Sequence, residues 1–359
     1  MRKIKIPRFY IGLLIFVLCV VLLSALGNRI LRRVLVAYEA AEPQTAARQL
    51  IAALETEGRE SLLYRTLCDG LSPYETEKGK TSFADAKLLT VPLSLKSTTS
   101  AVTAADVQYT LCRGDEKIAM MRLETDAEGG DFGFVGYHLQ SASFLPSNLY
   151  TVSVSVPVGY KLYLGGMPVG EEAALPEQTA DASAKFMPDG FSGVVRKTYR
   201  ADALCDVPSI EVYSDKGVPV EIRPGEKDGD YVAALAYDED LAREYADYAI
   251  EATKAYAAYM QNDRGFGAVR PYFDAESALY EQLRTSATMW VIDHNGYSFS
   301  DEKATEFISY GEGVFSCRVS LTHTLTYPRL KDYHDYIDMT WYFHLVDGKY
   351  LIYNSFNNN

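Results

Sequence analysis

The stretch Phe9 to Gly27, FYIGLLIFVLCVVLLSALG, constrains this chain more than any other, because no charged side chain interrupts it. As a helix rising 1.5 Å per residue it would be about 28 Å long, close to the ~30 Å hydrocarbon core of a bilayer. Four basic residues precede it (Arg2, Lys3, Lys5, Arg8) and three follow (Arg29, Arg32, Arg33). Basic flanks on both sides leave a small margin for orientation. The short positive tail and the long acidic remainder place the N-terminus inside and the bulk of the chain outside. Ala25-Leu26-Gly27 offers small residues at a cleavage spacing. The apolar run is nevertheless longer than the ~7–15 residues of a signal peptide, and helical character continues past it. The expectation is a single-pass anchor, with residues 1–35 as tail and span.

Of the 35 basic residues, seven lie in the first 33 positions, which hold no acid; the remainder carries 28 basic against 48 acidic groups, a net of −20. Such a surface repels phosphate backbones, so nucleic acid is excluded as a partner class. Apolar content of 48% and charged content of 23% are those of folded protein rather than disordered chain. Cys68, Cys112, Cys205 and Cys317 lack CxxC spacing, which gives neither a zinc pattern nor a disulfide framework. A single Cys68–Cys112 bridge stays open. Sparse cysteine in an exported chain fits a Gram-positive envelope.

After the anchor, Pro43 suits the first turn of a helix over 44–57 closed by Gly58, and a second helix is expected over 59–67. Alternation at Val107, Tyr109 and Leu111, then at Ala119, Met121 and Leu123, then at Val135, Tyr137 and Leu139, predicts an antiparallel meander. Residues 36–147 therefore read as a first α+β domain. Its turn carries Arg113-Gly114-Asp115, whose Gly and Asp are ordinary turn residues. Residues 148–224 read as a small all-β domain, with a hairpin at Gly165-Gly166 and an Ala/Glu/Pro-rich interruption over 171–190. A linker is expected over 225–237. From Asp238 a helix carries Leu241, Tyr245, Tyr248, Ala249, Ala252, Tyr256 and Tyr259 on one stripe, ending by Gly265, and a second helix spans 276–283. Strict alternation from Phe315 to Tyr327, a further strand through Leu345, and a two-residue Asp347-Gly348 turn complete a second α+β domain over 238–359.

Helices followed by a strongly bent antiparallel sheet ending in Tyr-Phe-His-Leu-Val-Asp-Gly-Lys-Tyr-Leu-Ile-Tyr (342–353) resemble the nuclear transport factor 2-like fold. The resemblance covers 238–359 and, more weakly, 36–146. The order of anchor, such a domain, β domain and second such domain is similar to that of the teicoplanin-resistance-associated (TcaA-like) envelope proteins of Firmicutes. This chain lacks their cytoplasmic zinc ribbon. The resemblance implies helices filling the concave side of the sheet and a role at the cell envelope. It transfers no functional residue.

Enzymes on such a cone, ketosteroid isomerase-like or SnoaL-like, work through Asp, His and Tyr. Alternation places His323, Asp335 and Tyr333 on the inward face here, where a carboxylate beside a His makes a general base. Trp341, with Tyr245 and Phe343, is expected to fill that pocket. No Gly-rich phosphate loop, GxSxG elbow or metal spacing of the five histidines is present, so no catalytic residue, metal ligand or cofactor is assigned. The outward face of the last hairpin carries Tyr336, Tyr342, His344, Leu351 and Tyr353, a tyrosine-rich set suited to an interface. Two occupants are open: a second copy of the chain, or the β domain of the same chain. The sequence thus predicts a non-catalytic, membrane-anchored binding or scaffolding protein whose partner is an envelope protein or wall component. A cone-pocket receptor or enzyme is the alternative.

Overall fold

The computed structural model describes residues 8–97, 106–191, 193–285 and 291–359, the first four by backbone alone. Arg2, Lys3 and Lys5 lie outside the described residues. The protein is mixed α+β, with one N-terminal apolar helix and several sheets. It divides into two compact units, 1–151 with 201–208, and 152–200 with 209–359.

The first unit begins with α1 (Arg8–Ala40). From residue 12 to Gly27 its side chains are exposed, Leu14 at 70% and Leu23 at 68%, and none of the described residues covers them. This helix is long and apolar enough to span a membrane. Pro43 sits in the first turn of α2 (Pro43–Glu57), and Gly58, with φ of 59°, terminates it. The helix expected over 59–67 is broken at Ser61, which is extended. Its hydroxyl accepts from the Tyr64 N–H at 3.3 Å and caps α3 (Leu62–Asp69). Thr76 caps α4 (Glu77–Leu88) in the same way, a helix that apolar periodicity did not reveal.

The meander follows: β1 (Ser94–Ser97), β2 (Asp106–Arg113), β3 (Glu116–Gly129) and β4 (Val135–Phe144), paired antiparallel in that order. Ala47, Leu54, Leu63 and Leu67 from the helices bury against Leu111, Ile118, Met121 and Leu123 from the sheet. Arg113 in the Arg-Gly-Asp turn is tied down, donating to the Ala86 carbonyl at 2.8 Å and the Glu116 carboxylate at 2.7 Å. The segment 201–208 returns to this unit. The Ser72 N–H donates to the Ala203 carbonyl at 2.9 Å, and the Cys205 N–H to the Glu75 carboxylate at 2.8 Å. All five cysteines are free thiols, so Cys68 and Cys112 are not bridged.

The second unit contains a β module and a helix-on-sheet body. The module's strands are β5 (Tyr150–Pro157), β6 (Lys161–Leu164), β7 (Met167–Pro168), β8 (Ala174–Ala180), β9 (Val195–Leu204), β10 (Ile210–Tyr213), β11 (Pro219–Val220), β12 (Ile222–Pro224) and β13 (Asp230–Ala233). They form sheets ordered β11-β10-β6-β7 and β12-β13-β5-β9-β8. The stretch read as a linker over 225–237 is corrected here, because β13 pairs parallel with β5 inside the second sheet. Likewise β8 and Asp181 lie within the Ala/Glu/Pro-rich interruption. Asp181 and Arg196 form a buried ion pair, Nε to Oδ2 at 2.5 Å, each side chain 9% exposed. Burial alone would raise the Asp181 pKa, but the Ser183 hydroxyl and amide and the Arg196 guanidinium outweigh it and hold the carboxyl below its usual range.

The body consists of α5 (Glu239–Met260), α6 (Ala278–Thr285), β14 (Gly296–Gly311), β15 (Val314–Thr326), β16 (Tyr333–Val346) and β17 (Lys349–Asn357). Asp238 caps α5 through two backbone N–H groups. The helix stops at Met260 rather than at Gly265, since Asn262 turns left-handed with φ of 64°. The four strands pair antiparallel in chain order. Asp347 and Gly348, both with positive φ, make the tight turn that aligns Leu345 with Tyr350 and Phe343 with Ile352. Leu345 is 49% exposed, however, and does not share the inward face with Phe343.

Candidate functional site

Inward-facing residues of β14–β17 meet α5 and α6 across a filled interior. Trp341 is fully buried against Tyr256 and Phe273, with ring centroids 5.2 and 5.7 Å away. Its indole N–H donates to the Thr253 hydroxyl at 2.8 Å, which donates in turn to the Ala249 carbonyl at 2.7 Å. Phe315 stacks on Phe343 at 4.6 Å.

At the other end of β15, His323 is 1% exposed and pairs in register with Asp335. Phe299 stacks on its ring at 4.6 Å and Tyr297 meets it edge-on at 5.6 Å. Burial pushes the His323 pKa down, against the raising charges of Asp263 and Asp335. Among the described residues, His323 Nε2 and Asp263 Oδ2 are buried atoms without a hydrogen-bond partner. The other Asp263 oxygen faces His294 Nε2 at 2.9 Å, and His294 Nδ1 faces the Ile292 carbonyl at 2.6 Å. Oxygens thus stand opposite both ring nitrogens of His294.

The structure therefore brings His323 and Asp335 together and adds Asp263 and His294, which sequence reasoning missed. Both additions lie on connections flanking α6, where no periodicity marks them. Tyr333, expected inward, is 46% exposed at the first position of β16. Trp341 is six residues along the strand from Asp335, about 20 Å at ~3.3 Å per residue, so the two belong to different places. Among the described residues no group of three or more His, Cys, Asp or Glu is disposed to hold a metal ion.

The buried imidazole sets a pH dependence. A His with a depressed folded pKa contributes stability that is complete above its ordinary value of 6.5 and is lost as pH falls through it. The expected result is a melting temperature that declines from pH 6.5 to about pH 5, with a shallower decline in His323→Gln. Thermal scans of the full-length protein in detergent measure both. Equal slopes would show that His323 is solvated.

The outward face of β16 and β17 is partly covered from within the same unit. Phe186, Met187 and Phe191, between β8 and β9, pack on Val314, Tyr342 and Tyr353. Phe186 stacks on Tyr342 at 4.8 Å, leaving Tyr342 6% and Tyr353 8% exposed. Burial raises both phenol pKa values. Of the five residues expected to form an interface, Tyr342 and Tyr353 are thus committed to the β module of their own chain. His344 pairs with Asp274 at 2.9 Å, Leu351 is half-buried opposite it, and Tyr336 remains 54% exposed.

No protein-family model matches the chain, and no curated protein matches it. Among solved structures, one described as "Ntf2 like protein involved in plasmid conjugation" aligns with 75% of this chain and 76% of its own, at 9% identity and a TM-score of 0.24.

Proposed function

We propose that this chain is a membrane-anchored, non-catalytic binding or scaffolding protein, with its N-terminus cytoplasmic and its acidic folded portion displayed outside, in the envelope of a Gram-positive cell. In this reading the two helix-plus-sheet bodies are nuclear transport factor 2-like and flank the β module, in the layout of TcaA-like proteins. Partners are an envelope protein or wall component, and Tyr336 is the surviving candidate contact. One observation carries the reading: α1 is apolar from residue 12 to Gly27 and finds no cover among the described residues, a surface suited to lipid.

Fractionation and protease protection test it. The full-length chain is expected in the membrane pellet, resistant to salt and released by detergent, with protease on intact cells degrading the folded portion. Recovery of the intact chain in the soluble fraction would overturn the proposal. Leu18→Arg, at the centre of the span, costs about 2.5–3.5 kcal/mol of insertion free energy and should cut the inserted fraction roughly a hundredfold.

A second reading, a small-ligand receptor or an enzyme of the ketosteroid isomerase-like class, draws on the orphaned Asp263 and His323 atoms. Against it, His323 is itself closed in, 1% exposed with Phe299 stacked on its ring at 4.6 Å.

A further inference from the structure

Where α1 continues beyond its apolar run, it forms one wall of a groove of about 1070 Å³ within the first unit. Arg29, Arg32, Arg33, Val36 and Ala37 line this wall, a spacing of three, four, seven and eight that puts them on one helical face. The opposite wall is the end of β3 and its connection to β4, with the carboxylates of Asp126 and Glu128 on the strand and Asp131 beyond it. Phe134 fixes that connection by an edge-on contact with Tyr38 at 5.6 Å. Phe132 beside it is 56% exposed and held left-handed at φ of 60°, a conformation a bulky residue rarely adopts.

Two features of this groove point to an occupant. First, its walls carry opposite charge, yet none of the three guanidiniums is paired with a described residue. Among the acids, Asp126 meets His138 at 2.9 Å. The groove holds basic and acidic groups apart instead of joining them. Second, its depth fits lipid. Arg29 to Arg33 lie about 3–9 Å beyond Gly27 along the helix. The headgroup layer occupies about 5–7 Å on each side of the hydrocarbon.

We propose that this groove seats the headgroup of a bilayer phospholipid bearing both a phosphate and a primary amine. The phosphate lies on Arg29, Arg32 and Arg33, where guanidinium forks match phosphate oxygens. The ammonium donates to Asp126, Glu128 and Asp131, and Phe132 rests at the boundary of headgroup and acyl chain. A choline headgroup has no N–H to donate to the carboxylates. A purely anionic headgroup meets them with like charge. The proposal rests on the anchor reading above.

The test is reconstitution of the full-length chain into vesicles of phosphatidylcholine alone, or with added phosphatidylethanolamine or phosphatidylglycerol, followed by gentle detergent extraction and native mass spectrometry of retained lipid. Phosphatidylethanolamine should be retained preferentially. Its retention should fall about fivefold for each Arg→Gln change at 29, 32 or 33, the factor equivalent to about 1 kcal/mol per basic residue at a lipid surface. The triple variant D126N/E128Q/D131N should switch the preference to phosphatidylglycerol. Phe132→Trp, seen against the two native tryptophans, should be quenched by brominated lipid. A chain that enters all three vesicles without lipid selection, or whose groove is occupied by another polypeptide on native extraction, overturns the proposal and leaves the anchor standing. A chain that enters none removes the anchor and the lipid site together.

Discussion

Trp341→Ala is expected to lower the melting temperature of the second unit by about 10 °C while leaving the first unit's transition in place. The indole is fully buried between Tyr256 and Phe273, and truncating a core tryptophan costs about 3–5 kcal/mol through lost transfer energy and the cavity left behind. For a unit of this size, each kcal/mol shifts the midpoint by about 2–4 °C. The indole N–H contributes separately, since Thr253 already donates to the Ala249 carbonyl and accepts from Trp341. Trp341→Phe keeps most of the ring and loses that bond, so a smaller loss is expected, about 1–2 kcal/mol. Calorimetry of the full chain in detergent separates the two transitions. A shift below about 2 °C for Trp341→Ala would mean that this interior is open to water or ligand, which would favour the receptor reading.

Asp181→Ala is expected to destabilise the same unit by about 3–5 kcal/mol, because it leaves the buried Arg196 charge uncompensated. Among the described residues, Arg196 would retain the Ala233 carbonyl at 2.9 Å and the Ser155 carbonyl at 3.3 Å. The double variant Asp181→Leu/Arg196→Met removes both charges and should recover most of the loss, as apolar replacement of buried ion pairs often does. The informative quantity is the coupling between the two positions, measured by denaturant midpoints of both single variants and the double. Additive effects, with no recovery in the double, would show that the two charges do not depend on each other.

What the sequence made legible was what repeats locally. The stripe Leu241, Tyr245, Tyr248, Ala249, Ala252, Tyr256 and Tyr259 on α5 packs into the core. Alternation along β15 places Cys317, Val319, Leu321 and His323 inward. Asp347-Gly348 set the register of the final hairpin. The opposite case is β14. Its register shifts at Ser300/Lys303 and Thr305/Ile308, next to left-handed Asp301 and Glu306. Each bulge adds a residue and reverses which face a position points to. Phe299 packs inward, then Ala304, then Phe307, so odd, even and odd positions serve the same face and no period survives. Short β13 is missed because its partner β5 is remote in sequence and four residues carry no pattern. The site divides the same way. His323 and Asp335 follow from strand register, whereas Asp263 and His294 meet only through tertiary folding.

The return of 201–208 to the first unit has a consequence for how the chain is made. Because translation is vectorial, closure of the first unit is not complete until Pro208 has left the ribosome. Up to that moment Ser72 and Glu75 wait for their backbone partners at Ala203 and Cys205, while the intervening β5 to β9 strands are already outside the exit tunnel. Swapping either unit into another protein as a continuous cassette would sever that closure.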